Sequence, residues 1–232
     1  MNKKFNVGFI QSTNSKSRNK VAFTLAEVLI TLGIIGVVAA MTLPALIQNY
    51  KKQQATVRIK KFVSVINQAL LAAENDIGPR EDWESANGSI EGNLATSEFF
   101  INTYIKPYVK NLGVENTIKD DTHVNNRTAI VFSDGSIMSI KTGACYDIYY
   151  DINGEKGPNQ QGRDVFLFIL CLKKGECNVE SNQVRAFYCA ATGTPFPTHE
   201  RIINNCKDNG IQCTILLEQN SYEFPKDYPV RL

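Results

Sequence analysis

A single acidic side chain, Glu27, lies within the longest apolar stretch of the chain. The stretch runs from Phe23 to Ile47 and contains no other charged residue. A carboxylate in a membrane helix costs about 2.5–3.5 kcal/mol on insertion scales and usually has a cationic partner. The stretch offers no cation, but a cut between Ala22 and Phe23 would create an α-amino group. That amine would lie about one helical turn from Glu27. It could also meet Glu27 of a neighbouring chain, which favours side-by-side packing of helices in register.

The cysteines carry a second kind of chemistry, because thiols can form disulfides or bind metals. All six lie in the last 88 residues: Cys145, Cys171, Cys177, Cys189, Cys206 and Cys213. Their even number favours disulfides formed outside the cytoplasm. Buried free thiols in a cytosolic protein are the alternative. Zinc is disfavoured, because there is no C-x-x-C and only two histidines are present, His123 and His199.

One disulfide can be suggested from the sequence. Cys206 and Cys213 flank a predicted turn at Gly210, and they are the best candidates for a bond. The pairing of the other four cysteines stays open.

The apolar stretch is long enough to cross a membrane. As a helix it would span roughly 37 Å, which exceeds the thickness of the hydrocarbon core. It is too long for the apolar region of an ordinary signal peptide, although Val38-Ala39-Ala40 imitates a cleavage site. Five basic residues precede it and five follow closely, so charge does not decide its orientation. The cysteines favour an N-terminus inside and a C-terminal part outside the cytoplasm.

The basic leader, the cut before phenylalanine and F-T-L-x-E resemble the class III signal of type IV pilins and type II secretion pseudopilins. The matching residues are Ala22, Phe23, Thr24, Leu25, Glu27, Gly33, Gly36 and Pro44. The resemblance implies that a prepilin peptidase removes residues 1–22 and methylates the amine of Phe23. It also implies a subunit that waits in the cytoplasmic membrane and joins other pilin or pseudopilin subunits in a filament, where Glu27 neutralises a neighbour's terminus. Gly33 and Gly36 would allow close helix packing, and Pro44 would permit a kink or local melting.

The stretch after residue 50 predicts an amphipathic continuation of the helix. Apolar residues recur at helical spacing at Ala55, Ile59, Phe62, Ile66, Ala69, Leu70 and Ala73. Basic residues occupy the opposite face, at Lys52, Arg58, Lys60 and Lys61. We expect the helix to end at Gly78-Pro79 and to bury its apolar face against a domain.

The remaining chain predicts an antiparallel sheet. Ser97 is a candidate cap for a short helix that contains Phe99, Phe100, Tyr104 and Ile105. Asp134-Gly135 between apolar runs predicts a hairpin within 128–140, and 145–152 and 165–171 read as further strands. A short helix should end near Gly210. The expected fold is α+β, a long N-terminal helix packed on an antiparallel sheet, and pilin-like by resemblance. The expected parts are a leader (1–22), a membrane or filament-core helix (23–49), its amphipathic continuation (50–77) and a disulfide-bonded head outside the cytoplasm (78–232).

Residues 151–164 form a predicted turn rich in glycine and in oxygen ligands. Asp151, Asn153 and Asp164 make calcium binding a weak hypothesis, although their spacing differs from that of an EF-hand loop. The favoured alternative is that these side chains form Asx-turns and cap backbone groups. The segment also resembles a stretch found in a subgroup of pilin-like proteins, which implies membership without a role. No other cofactor is expected.

Three function classes remain, and the first is favoured. It is a structural subunit of a type IV pilus or type II secretion pseudopilus. The second is an exported disulfide-bonded binding domain on an uncleaved signal anchor. The third is an exported enzyme, but no P-loop, G-x-S-x-G, H-E-x-x-H or dinucleotide motif is present, so we expect no catalysis. Beyond residue 22 the balance is 20 basic against 23 acidic residues, so no nucleic-acid partner is expected, except through a DNA-uptake filament.

Overall fold

The computed structural model describes residues 24–83, 94–115, 127–143, 145–173, 175, 177, 182–191 and 193–232. These described residues divide into two compact units, with the boundary between Pro44 and Ala45. Helix α1 comprises Leu25–Ile77 and contains Pro44. The predicted leader, with Ala22 and Phe23 around the expected cut, lies outside the described residues.

The second half of α1 is amphipathic, as its sequence predicts. The seven positions chosen for helical spacing are its buried residues: Ala55, Ile59, Phe62, Ile66, Ala69, Leu70 and Ala73. The helix ends at Ile77 because Gly78 takes a left-handed conformation with φ +112°, and Pro79 cannot continue the ladder of backbone hydrogen bonds. Both the buried face and the end of the helix are confirmed.

The sheet of the second unit is an antiparallel meander with six strands in the described part of the chain. The strands are β1 (Asn111–Glu115), β2 (Thr128–Phe132), β3 (Ile137–Thr142), β4 (Tyr146–Asp151), β5 (Val165–Leu170) and β6 (Arg185–Ala186). They pair in sequence order, each antiparallel to the next. The predicted hairpin joins β2 to β3, with Gly135 N donating to Phe132 O at 2.9 Å. The α+β class is thereby confirmed.

In the described segments after α1, three shorter α-helices accompany the sheet: α2 (Leu94–Phe100), α3 (His199–Asn209) and α4 (Cys213–Gln219). Helix α3 begins after Thr198, whose hydroxyl accepts a hydrogen bond from Arg201 N, and it ends at Gly210 in the left-handed conformation, as predicted. The prediction that Ser97 caps a helix is wrong. Helix α2 already begins at Leu94, so Ser97 lies inside it and is buried.

Aromatic side chains join α1 to one face of the sheet. Phe62 stacks on Tyr150 of β4, with ring centroids 3.9 Å apart. It also contacts Phe168 of β5 at 5.3 Å and meets the edge of Phe132 of β2 at 6.3 Å. Strand β5 is buried along its whole length. The core of the head is therefore formed between this face of the sheet and the second half of α1.

Candidate functional site

The N-terminal end of α1 is a capping box in which Glu27 takes part. Thr24 donates to Glu27 Oε2 from both its backbone nitrogen and its hydroxyl, each at 2.8 Å. In return, Glu27 N donates to Thr24 Oγ1 at 3.2 Å. These reciprocal bonds satisfy backbone donors that the first helical turn leaves unpaired. This role of Thr24 was not among the sequence-based predictions, although T-L-A-E has the T-x-x-E spacing that identifies a capping box.

The apolar side chains of α1 that follow Glu27, up to Ile47, are not buried by any other part of the described structure. Every residue from 24 to 47 is exposed, including Leu25 at 78% and Met41 at 75%. Among the described residues, α1 is the one helix long and apolar enough to cross a membrane. An uninterrupted apolar surface of this length is rare on a soluble monomer and indicates contact with lipid or with another protein. The segment is a candidate membrane anchor.

Gly33, Gly36 and Pro44 all lie on this uncovered part of α1. A Cβ added at Gly33 or Gly36 would meet no atom within 4 Å in the described structure. No contact seen within the described part of the chain therefore requires glycine at these two positions. Pro44 is accommodated inside α1. Because proline removes one backbone hydrogen bond from a helix, it weakens the ladder at the boundary between the two compact units.

Basic side chains of the second half of α1 contact the head, where the sequence predicted only a polar face. Lys61 Nζ lies 2.7 Å from Asp134 Oδ2, in the β2–β3 hairpin. Lys60 Nζ lies 3.0 Å from Glu223 Oε1, and Arg58 donates to Ile152 O. Partial burial opposes ionisation of Asp134, but hydrogen bonds from Lys61 and Ser136 outweigh it and lower the pKa of Asp134 to about 2.

Two further polar anchors were missed by sequence reasoning. Asn67 on α1 accepts from Val184 N at 2.9 Å and donates to Val184 O at 3.4 Å, as a strand neighbour would. Arg80 is buried and bonds Glu74 twice through its guanidinium, and it also donates to Asn182 O at 2.6 Å. Hydrogen bonding to Arg80 lowers the pKa of Glu74. The burial of Arg80 cannot be read from a local sequence pattern, since one of its partners, Asn182, lies 102 residues further along the chain.

The structure brings Asp151, Asn153 and Asp164 together. Asp164 is buried, and its two carboxylate oxygens accept from Gln160 N at 2.7 Å and Asn159 N at 3.0 Å. Asp151 Oδ1 accepts from Asn153 N, and also from the next backbone nitrogen, at 2.9 Å each. Oxygens that point at backbone donors are poorly placed to ligate calcium. This arrangement is the Asx-turn and capping role that the sequence offered as the alternative.

All six cysteines form disulfides, in the pairs Cys145–Cys171, Cys177–Cys189 and Cys206–Cys213. The bond suggested from the sequence, Cys206–Cys213, is formed. Cys145 directly precedes β4 and Cys171 directly follows β5, and the neighbouring residues Tyr146 and Leu170 are paired in the sheet. This bond therefore closes one end of the β4–β5 pair. Three disulfides indicate a domain that matures outside the cytoplasm.

Comparison with known proteins gives a family for most of the chain. Residues 45–232 match a family of unknown function (DUF6613). The match begins at the residue where the second compact unit begins. No curated protein and no solved structure matches the chain.

Proposed function

The chain belongs to DUF6613, a family of unknown function, and we propose that it is a structural subunit of a membrane-anchored filament of the type IV pilus or type II secretion pseudopilus kind. The observation that carries this proposal is the uncovered apolar half of α1, which is exposed at every position from 24 to 47 and has Glu27 in its first turn. A helix of this kind needs lipid before assembly and neighbouring helices after it.

The composition of this segment supports assembly beyond simple anchoring. A lone membrane anchor gains only a helix cap from the carboxylate of Glu27, whereas a filament of parallel helices also gains an ion pair between that carboxylate and a neighbour's terminal amine. Gly33 and Gly36 are not needed for packing within the chain, and small residues let helix backbones approach closely in membranes. We propose that the head, held by three disulfides, lies outside the cytoplasm and that its role is structural.

The first experiment is the N-terminal residue and intact mass of the full-length protein extracted from membranes. A chain that begins at methylated Phe23 supports processing by a prepilin peptidase and the filament role. A chain that begins at Met1 would favour a signal anchor. A chain that begins after Ala40 would remove the apolar segment and overturn the proposal.

The second experiment separates the two roles that Glu27 can have. Glu27→Gln keeps the size of the side chain and its capacity to accept hydrogen bonds but removes the charge. Thr24→Val is the matched control, because it disrupts the capping box and leaves the carboxylate in place. We expect Glu27→Gln to reduce assembly at least tenfold, measured as chemically cross-linked multimers in membranes of cells that process the chain, and Thr24→Val to reduce it much less. Equal losses in the two variants would mean that Glu27 acts through the cap, and the assembly argument would fail.

The capping box also supports a second candidate function. The Thr24–Glu27 capping box gives the carboxylate a local use that requires no neighbouring chain. Under this alternative the protein is an exported disulfide-bonded binding domain on an uncleaved anchor. The two experiments above distinguish it, because it requires an intact Met1 and predicts no multimers that depend on the charge of Glu27.

A further inference from the structure

Two disulfides of the head lie against each other. The sulfur atoms of Cys145, Cys171 and Cys177 all lie within 4.8 Å of one another, although Cys177 is bonded to Cys189 and not to either of the other two. Cys177 and the side chain of Phe187 pack against the small apolar cluster that contains Cys145 and Cys171. The sulfur of one disulfide is therefore within a short side-chain movement of both sulfurs of the other.

The two bonds differ strongly in access to solvent. Cys145 is 4% exposed and Cys171 is 1% exposed, so an external thiol cannot reach their bond without opening the structure. Cys189 is exposed, and Cys177 is half-buried between the surface and the buried pair. Thiol–disulfide exchange requires a thiolate to approach a disulfide sulfur directly. The outer bond is thus open to exchange with external thiols, and the inner bond is open to exchange with Cys177.

We propose that Cys177–Cys189 is a thiol-exchange site for an external dithiol, such as the active-site pair of an extracytoplasmic oxidoreductase. We further propose that Cys177 transmits the exchange to the buried Cys145–Cys171 bond. The inference goes beyond the proposed filament role and does not rest on it, since it concerns contacts within the head alone.

The exchange balances as two thiol–disulfide steps. One thiolate of the external dithiol attacks the sulfur of Cys189, and Cys177 leaves as a thiolate. The second thiol of the reagent then displaces Cys189, so the reagent is oxidised to its disulfide and the protein gains two thiols. Next, the Cys177 thiolate attacks the sulfur of Cys171 or Cys145, forms a new S–S bond and expels the other cysteine as a thiolate. The last step is an isomerisation that needs no further oxidant or reductant.

The exchange would change which strands of the sheet are covalently linked by the buried disulfide. In the structure Cys145–Cys171 closes one end of the β4–β5 pair. A bond from Cys177 to Cys171 would release Cys145 and leave that end of β4 without its covalent link. A bond from Cys177 to Cys145 would release Cys171 at the end of β5 instead. A reagent that touches only the surface could therefore change the covalent support of the sheet. By the reverse steps, it could also correct a mispaired intermediate during oxidative folding.

The test compares two variants that lose the same disulfide. Cys189→Ser leaves a thiol at Cys177, beside the buried bond. Cys177→Ser leaves a thiol at Cys189, whose sulfur is not part of the group of three. Full-length chains, purified in detergent, are held at about pH 8.5, where a free thiol is roughly half ionised. They are then acid-quenched and alkylated, and their disulfide-linked peptides are mapped by mass spectrometry. The Cys206–Cys213 bond serves as an internal control for general scrambling.

We expect bonds from Cys177 to Cys171 or Cys145 in the Cys189→Ser variant, at a fraction several-fold above any rearrangement in Cys177→Ser. An intact Cys145–Cys171 bond in both variants would overturn the inference, and so would equal scrambling in both. If the variants fail to fold, limited reduction of the wild-type chain with dithiothreitol decides the matter. Trapped thiols at Cys189 together with Cys145 or Cys171 support the relay, whereas thiols only at Cys177 and Cys189 contradict it.

Discussion

Replacement of Phe62 by alanine tests how firmly α1 is attached to the head. Phe62 is 4% exposed, and its ring stacks on Tyr150 at a centroid distance of 3.9 Å and an interplanar angle of 10°. It also contacts Phe168 and Phe132, so one side chain links α1 to β4, β5 and β2. No other aromatic residue of the second half of α1 is buried in the described structure.

The expected loss follows from burial and ring contact together. Truncation of a buried phenylalanine costs about 3–5 kcal/mol, including the cavity that remains, and aromatic pairs contribute about 0.5–1.5 kcal/mol of that. Because Phe62 is almost fully buried, we expect a loss within this range. With a urea dependence of about 2–3 kcal/mol/M for a domain of this size, the unfolding midpoint should fall by roughly 1–2.5 M.

The assay is urea unfolding of the full-length chain in detergent, with its disulfides intact. Fluorescence of Trp83, the one tryptophan of the chain, reports on the head, since Trp83 is buried and stacks on Tyr104 at 4.1 Å. Leu71→Ala is the matched control, because Leu71 lies on the same helix and is 56% exposed; it should cost no more than about 0.5 kcal/mol. If Phe62→Ala lowers the midpoint no more than Leu71→Ala does, the packing of α1 on the sheet is refuted.

Two further predictions concern the head. Asp134→Asn should lower the urea midpoint at pH 6, because the folded state holds the pKa of Asp134 at about 2, against 3.8 for the free side chain. Such a depressed pKa stabilises the fold above about pH 4 and is lost as the pH falls towards 2, so the wild-type advantage should shrink over that range; a constant difference would contradict the ion pair. Gly210→Ala should destabilise far more than Gly175→Ala. Both glycines have left-handed φ, which costs about 1–2 kcal/mol with a Cβ, but only at Gly210 would that Cβ lie 2.4 Å from the Gln161 backbone. Equal shifts of the urea midpoint would refute the clash.

Regular patterns made most of the fold predictable from the sequence. The 3.6-residue period identified the buried face of α1, and Asp134-Gly135 identified the hairpin between β2 and β3. Strand β1 was not predicted. Its sequence, N-L-G-V-E, contains Gly113 in the middle, and its one large apolar residue besides valine, Leu112, is 71% exposed. It is a strand because β2 offers it an edge to pair with. Strand β6, with two residues, is too short to carry a pattern.

The features of the candidate site could be predicted from the sequence only where their residues lie within a few positions of one another. The capping box at Thr24 and Glu27 spans four residues and could have been recognised from its spacing alone. The pairing of Cys145 with Cys171 could not, because it depends on the register that places Tyr146 opposite Leu170. Sequence reasoning gives the spacing of residues along one element, whereas pairs formed between elements depend on a register that is set only in the folded chain.

The apolar composition of the first part of α1 is not explained by the fold of the head. This supports the proposed function, in which lipid or neighbouring helices cover that part. In the part of the chain that the structure describes, no buried residue precedes Ala55, so the fold of the head makes no use of the apolar side chains between Leu25 and Ile47. The capping box gives the Glu27 carboxylate a local role, but the cap residue is Thr24, whose hydroxyl accepts from Glu27 N without any need for a carboxylate. What the cap leaves unexplained is an ionisable group at the start of an otherwise uncharged apolar surface. A complementary charge from a neighbouring chain would account for it, and the comparison of Glu27→Gln with Thr24→Val measures that contribution.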